Sequence, residues 1–239
     1  MEGAEAPQAA TTMQHASKEG DRTAAAPPHR DWAAIIRARL AGTVPRHADE
    51  DWLIPGLFEP GDAPRRRLLP RDPVPAAVLI PLVERADLTV LFTQRATQLR
   101  NHAGQISFPG GRIEPGDRGP AAAATREARE EIGLDPRFVS VIGYLPDHVV
   151  ITGFRITPVV AFVRPGFELA LASQEVEDTF EVPLRYLFDP ANHRLRRRAS
   201  IAGDEVEFRE IPFGERTIWG ATAGMLHTLY RVCTEPQVP

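Results

Sequence analysis

The chain has 239 residues, a formal net charge of −4 at pH 7 and 43% hydrophobic residues, which suits one sizeable domain with extensions. A pI of about 6.0 does not indicate a nucleic-acid groove or an anionic membrane surface, so we expect neither kind of partner. Its single cysteine, Cys233, excludes an intrachain disulfide and is compatible with a reducing compartment.

The first part of the chain is predicted to lie outside the main domain. Residues 1–30 are rich in Ala, Pro and Thr, which predicts a disordered tail. Their start lacks the apolar core of a secretory signal, and no apolar run is long enough to cross a bilayer, so we expect a cytoplasmic protein. Residues 31–72 are predicted to form an N-terminal helix, ending at Gly42, and an extended lead-in. The sequence leaves open whether this helix packs on the core or on a partner.

The main domain is predicted to cover residues 73–235. A strand hairpin (residues 75–95) and a short strand ending in a Pro-Gly-Gly turn come first. A central helix and two strands follow, then a short helix with a proline break, a late hairpin and a closing helix. The segments predicted for these last three elements read "EVEDTFEVPLRYLFDP", "HRLRRRAS" with "VEFREIPF", and "TIWGATAGMLHTLYRVC". This mixture predicts an α+β sandwich rather than a doubly wound parallel sheet.

The central helix has clear predicted ends. Pro120 is favoured in a first turn, after Asp117 or Gly119 as the cap. Gly133 is typical of a left-handed stop after Ile132. Small apolar residues recur at helical spacing and should allow close packing on a sheet; they are Ala121, Ala124 and Ala128.

Three glutamates share one side of this helix. Glu127 stands three and four residues before Glu130 and Glu131, and each such pair of like charges costs roughly 0.2–0.5 kcal/mol. The pattern is compatible with a solvated acidic patch. It also suits a divalent cation, because Mg²⁺ takes carboxylate oxygens together with water and phosphate oxygens. Arg126, four residues before Glu130, is placed to pair with that carboxylate and orient it.

Residues 110–134, "GGRIEPGDRGPAAAATREAREEIGL", resemble the Nudix box, G-x5-E-x7-R-E-U-x-E-E-x-G-U with U apolar. The second half of the box matches, from Arg126 and the glutamates to Gly133. The first half departs from it, because Gly111 lies one residue too far from Arg126. Asp117 stands about where the first Glu of the box is expected, and this departure puts a role for Asp117 in doubt.

Residues 91–111, "LFTQRATQLRNHAGQISFPGG", resemble a signature of the coenzyme A pyrophosphatase branch, commonly L-L-T-x-R-S-A-x-x-R-x-H-x-G-x-x-x-F-P-G-G. Arg95, Arg100, His102 and Gly104 fit it, as does the Phe-Pro-Gly-Gly turn. The resemblance covers roughly residues 74–232.

These resemblances imply a Nudix-type α/β/α sandwich around a mixed β-sheet. They imply an enzyme that uses Mg²⁺ or Mn²⁺ to hydrolyse CoA, or its thioesters, to 3′,5′-ADP and 4′-phosphopantetheine or its acyl form. The partner is then a small molecule, and the resemblance is compatible with a homodimer as well as a monomer.

The resemblance also implies roles for particular residues. Glu127 and Glu131 are expected to ligate metal, with Glu130 as a further ligand or as a base acting through water. Gly111 is expected to offer a backbone contact to metal or phosphate. The remaining expected site residues are Arg126 and Glu175 in catalysis, and Arg95 and Arg100 in substrate binding.

Each assignment has a plainer alternative. Glu175 is equally compatible with a solvated loop acid, and Arg95 and Arg100 with structural ion pairs. Phe108 and Trp219 are interpreted as packing residues rather than base-stacking ones. For the whole chain the rivals are a Nudix hydrolase of ADP-ribose, a nucleotide sugar or an oxidised nucleotide, and a Nudix-fold sensor without catalysis.

Overall fold

The computed structural model describes residues 30–45, 72–99, 103–199 and 205–236. Most of the predicted tail and lead-in therefore lies outside the described residues. The helices are α1 (Trp32–Leu40), α2 (Pro120–Ile132), α3 (Leu184–Leu187) and α4 (Gly220–Thr234). The strands are β1 (Val74–Val83), β2 (Thr89–Arg95), β3 (Ile106–Ser107), β4 (Gly110–Arg112), β5 (Val139–Tyr144), β6 (His148–Val149), β7 (Phe154–Val163), β8 (Val176–Pro183), β9 (Arg194–Ala199), β10 (Glu205–Phe213) and β11 (Arg216–Trp219). In these ranges, no helix combines the length and the apolar character that a membrane span requires.

An eight-stranded mixed sheet forms the centre of the described residues. Its main order is β3-β2-β1-β7-β5, while β8, β4 and β6 pair with β2, β1 and β7. β1 and β7 run parallel along their whole length, and the other pairings are antiparallel. The predicted α+β class with a mixed sheet is confirmed.

Helices cover both faces of this sheet. Side chains alternate along β1, so Ala77 and Leu79 face α2 and pack with its small residues, including Ala128. Ile80 and Leu82 face the other way and join the core formed with α1 and α4. The result is the predicted α/β/α sandwich.

Helix α2 has the predicted ends. Pro120 stands in its first turn after Gly119, and no side chain caps this end. At the other end Gly133 has a φ of 70°, in the left-handed region. Its N–H donates to the carbonyl of Arg129 at 2.9 Å, which pairs one of the carbonyls that a helix end would otherwise leave free.

The helix predicted within residues 175–190 is wrong for its first half. Val176–Pro183 is strand β8, and only Leu184–Leu187 is helical. β8 pairs antiparallel along β2, and its Val182 is fully buried. Pairing with a strand distant in sequence makes this segment a β-strand, and its polar sequence does not predict that pairing.

The late hairpin is confirmed as part of a second sheet, of order β11-β10-β9. Ile211 and Ile218 are fully buried and join the core beside α4. The closing helix starts later than predicted, at Gly220, because the preceding residues form β11. Trp219 is therefore not on a helical face; it is 38% exposed and packs edge-on against Phe208 with ring centroids 6.0 Å apart.

Helix α1 packs on the core, which settles the alternative that the sequence left open. Ile36 is fully buried and Leu40 is 1% exposed. After the helix, the Thr43 hydroxyl accepts the N–H of Tyr144 at 2.9 Å. The absence of a side chain at Gly143 permits this approach, since a Cβ there would overlap the Leu40 carbonyl.

Truncating Ile36 to Ala should therefore destabilise the whole domain. A large-to-small change at a fully buried aliphatic site costs about 2–5 kcal/mol, and Ile36→Val should cost only about 0.5–1.5 kcal/mol. Urea unfolding at a constant m-value measures both changes. An Ile36→Ala variant as stable as the wild type would contradict the packing of α1 on the core.

Candidate active site

The predicted glutamates lie on the last turns of α2, at the side that faces β4. Glu131 is 5% exposed, and its carboxylate accepts the N–H of Gly110 at 3.2 Å. The Glu127 carboxylate lies directly over Gly111, where a Cβ would overlap it. Glu130 points outward, with 59% of its side chain exposed. Two of the three glutamates are thus held against the β4 backbone.

Arg126 links two of these carboxylates. Its Nη1 donates to Glu127 and to Glu130, each at 3.0 Å, and its Nη2 donates to the Arg112 carbonyl at 3.1 Å. The contact that the spacing predicts between Arg126 and Glu130 is present. Its role in catalysis stays a prediction.

Asp117 is a site residue that the sequence left in doubt. Its side chain is 7% exposed and accepts two hydrogen bonds from Arg126, at 3.1 and 3.0 Å. These bonds lower the pKa of Asp117, assisted by the backbone N–H of Glu114. Asp117 therefore fixes Arg126, which in turn holds the glutamates. The available signal was its position near the first acid of the Nudix box.

Burial dominates the electrostatics of the two inward glutamates. It raises the pKa of Glu131 to about 7, against the opposing effect of the Gly110 N–H. It also raises the pKa of Glu127, although the hydrogen bond from Arg126 opposes it. The negative charge of Glu175 adds to both increases. Carboxylates destabilised by burial and by one another gain most from a nearby cation.

The structure brings Glu175 to this cluster on the loop that leads into β8; we call this loop, together with the first two residues of β8, the acid loop (residues 170–177). The loop is tied to the end of α2, where the N–H groups of Ala170 and Ala172 donate to the carbonyls of Ile132 and Glu131 at 2.9 and 2.8 Å. These bonds pair two of the terminal helix carbonyls. Glu175 therefore belongs near the glutamates, as its effect on their pKa values also indicates.

Arg95 lies at the end of β2 and faces the same cluster. Its positive charge opposes the increase in the pKa of Glu131. Its Nε is buried and has no hydrogen-bond partner among the described residues. The other predicted substrate residue, Arg100, lies outside the described residues, as does His102.

The donor set suits Mg²⁺ or Mn²⁺, because it consists of carboxylate oxygens beside backbone able to approach a ligand closely. Arg126 holds Glu127 and Glu130, and Gly110 holds Glu131. Across the part of the chain that the structure describes, no three Asp, Glu, His or Cys side chains are therefore already gathered as ligands. Ligation by Glu130 would require its exposed carboxylate to turn away from Arg126.

The sequence of this chain is similar to those of known proteins. The NUDIX domain family model matches residues 73–202. NudL from Citrobacter koseri, an uncharacterized Nudix hydrolase, is 40% identical over 157 residues, which cover 64% of this chain and 80% of that protein. NudL from Salmonella newport matches with the same identity and coverage. Among solved structures, the Nudix hydrolase RenU from M. smegmatis is 19% identical with a TM-score of 0.47, over 70% of this chain and 89% of that one.

Proposed function

The chain belongs to the Nudix family of pyrophosphohydrolases, and from that premise we propose that it hydrolyses the diphosphate linkage of coenzyme A or of a CoA thioester. Water attacks one phosphorus, the P–O–P bridge breaks, and 3′,5′-ADP and 4′-phosphopantetheine or its acyl form leave. The resemblance of residues 91–111 to the CoA pyrophosphatase signature supports this choice of substrate.

One observation carries the proposal: the buried Nε of Arg95 has no hydrogen-bond partner in the described part of the chain. Leaving a buried donor unpaired costs about 1–3 kcal/mol, so such a group in a native site points to a ligand. An anionic phosphate beside Arg95 would accept this N–H and add the strength of a charge-assisted bond. CoA carries a 3′-phosphate in addition to its diphosphate, and we assign Arg95 and Arg100 to the phosphates of CoA.

The glutamate cluster would hold the divalent metal that Nudix hydrolases use. We assign Glu127 and Glu131 as ligands, Glu130 as a ligand or as a base through water, and Gly111 as a backbone contact. Bound there, Mg²⁺ or Mn²⁺ would neutralise the diphosphate charge and lower the pKa of an attacking water. We assign Arg126 to orienting Glu127 and Glu130, to which it donates hydrogen bonds.

We assign Glu175 as the general base that accepts a proton from the attacking water. It stands on the acid loop, across from the α2 glutamates, and its charge reaches both Glu127 and Glu131. A carboxylate in this position can accept the proton directly or through a second water. The alternative role for Glu175 is that of a further metal ligand.

A substrate comparison tests the proposal. The kcat/KM values for CoA, acetyl-CoA, NADH and ADP-ribose are measured at matched Mg²⁺ or Mn²⁺ concentration, with product identification by phosphorus NMR. We expect CoA or acetyl-CoA to exceed the other two clearly. A preference for ADP-ribose or NADH would identify the protein as a Nudix hydrolase of another substrate. No turnover of any of the four compounds would favour a Nudix-fold sensor without catalysis.

Arg95→Ala should lower kcat/KM for CoA by about 10- to 100-fold, because a hydrogen bond to a charged group is worth about 1.5–3 kcal/mol. Arg185→Ala is the matched control, since Arg185 is 68% exposed and forms a surface ion pair with Asp87. Wild-type kinetics in Arg95→Ala would show that this arginine is structural. Repeating the comparison with dephospho-CoA tells whether Arg95 contacts the 3′-phosphate.

A further inference from the structure

The acid loop is joined to a second loop, and no sequence motif predicts this connection. The second loop is the motif loop, residues 95–99, which continues from β2 and carries Arg95. Where β2 meets β8, the register shifts: Gln94 is opposite Asp178, but Arg95 is opposite Val176. Glu177 is therefore an extra residue in β8, a β-bulge. Bulges next to active sites redirect the chain and its side chains.

Two side chains reinforce this junction. The Glu177 carboxylate accepts the backbone N–H of Thr97 at 3.3 Å. The Gln98 amide donates to the carbonyl of Ser173 at 3.2 Å. Both bonds cross between the motif loop and the acid loop, and they lie on either side of Glu175.

A backbone hydrogen bond at Glu175 supplies a third link between the two loops. The N–H of Ala96 donates to the carbonyl of Glu175 at 2.9 Å. Arg95 and Glu175 are therefore attached to adjacent, hydrogen-bonded stretches of chain. The other end of the acid loop is fixed to α2 through Ala170 and Ala172. Glu175 is thus held from two directions, by the helix that bears the glutamates and by the loop that bears Arg95.

We propose that Glu177 and Gln98 are positioning residues, which hold Glu175 and Arg95 at a fixed separation so that both act on one diphosphate substrate. The proposal rests on the proposed function for the roles of Glu175 and Arg95. Glu177 and Gln98 are both exposed, yet their replacement should lower the rate of catalysis.

Glu177→Ala tests the proposal. Displacing a catalytic group by about 1 Å can cost about 100-fold in rate, so we expect kcat to fall about 10- to 100-fold. The melting temperature should hardly change, since Glu177 is exposed. Glu177→Gln retains an oxygen that can accept the Thr97 N–H, and it should recover most of the lost kcat. Gln98→Ala should act in the same direction.

Two controls separate positioning from other effects. Glu168→Ala removes another exposed acid from the same connection between β7 and β8 and should leave kcat unchanged. In a Glu175→Ala background, Glu177→Ala should cost little further rate, because residues that act as a unit are not additive. Wild-type kinetics in Glu177→Ala would overturn the proposal, and so would loss of activity in proportion to lost stability without recovery by Glu177→Gln.

The substrate for these assays is whichever diphosphate the wild type cleaves fastest, so failure of the CoA assignment leaves this test intact. If the wild type cleaves none, the proposed function fails, and amide hydrogen exchange of Ala96 and Thr97 decides the inference instead. Faster exchange at both amides in Glu177→Ala supports the link between the loops. Unchanged exchange overturns it.

Discussion

Replacing Glu131 by Gln should reduce turnover at least about 100-fold while the protein stays folded. Under the proposed assignment the change removes a charge that ligates the metal, and the charge stabilisation that a metal provides is worth several kcal/mol, at about 1.4 kcal/mol for each tenfold in rate. Glutamine still offers an oxygen to the Gly110 N–H that Glu131 now pairs with. Steady-state kinetics with CoA and thermal melting measure the two properties separately.

Stability should move opposite to activity in this variant. Glu131 is 5% exposed, and burying a charge disfavours the folded state, so Glu131→Gln should melt at or above the wild-type temperature. Glu168→Gln is the control for loss of an exposed acid. Full turnover by Glu131→Gln would reject the assignment of Glu131 to the metal.

Gly133→Val should destabilise the protein and also disable the site. Gly133 has a left-handed φ of 70°, and a Cβ there would lie 2.8 Å from the Ala170 nitrogen. A strained backbone residue costs about 1–3 kcal/mol, and relief of the overlap must displace the acid loop. The hydrogen bond from Ala170 to Ile132 would be lost with it. Glu175 would then move relative to the α2 glutamates.

The control for this variant separates the effect of backbone strain from the effect of steric overlap with the acid loop. Gly153 also has a positive φ, of 103°, but a Cβ there would meet nothing within 4 Å. Gly153→Val should lose stability through strain alone and keep its kcat. Urea unfolding and CoA kinetics on both variants make the comparison. Equal kcat in Gly133→Val and the wild type would show that the acid loop does not depend on this contact.

Local pattern was enough to predict helix α2 and its carboxylate side. Proline and glycine mark its ends, and the small residues at helical spacing identify the side that packs on the sheet. The α+β class followed from the succession of hairpins and few helices. These features depend on residues close together in the chain.

The parts that could not be predicted depend on distant residues. β8 carries several acids, so its sequence does not resemble a strand, and only its pairing with β2 makes it one. The bulge at Glu177 exists only in that pairing. Asp117 contacts Arg126 across a loop of unusual length, so the departure from the Nudix box concealed its role. Ion pairs between residues nine apart are not visible in helical spacing.

The ion pairs of Arg126 also affect the repulsion among the site carboxylates. Acids placed this close repel one another, and Arg126 offsets that repulsion by bonding to Asp117, Glu127 and Glu130. These bonds hold the carboxylates of Glu127 and Glu130 near one another, while Asp117 gives Arg126 a partner that depends on neither glutamate.

A Mn²⁺ titration followed by electron paramagnetic resonance most directly tests whether the α2 glutamates bind a divalent ion. The wild type should take up Mn²⁺ at pH 8 and bind it more weakly at pH 6, because a proton on Glu131, whose pKa is about 7, competes with the metal. The double variant Glu127→Gln, Glu131→Gln should lose this binding. Equal binding by the wild type and the double variant would contradict the account.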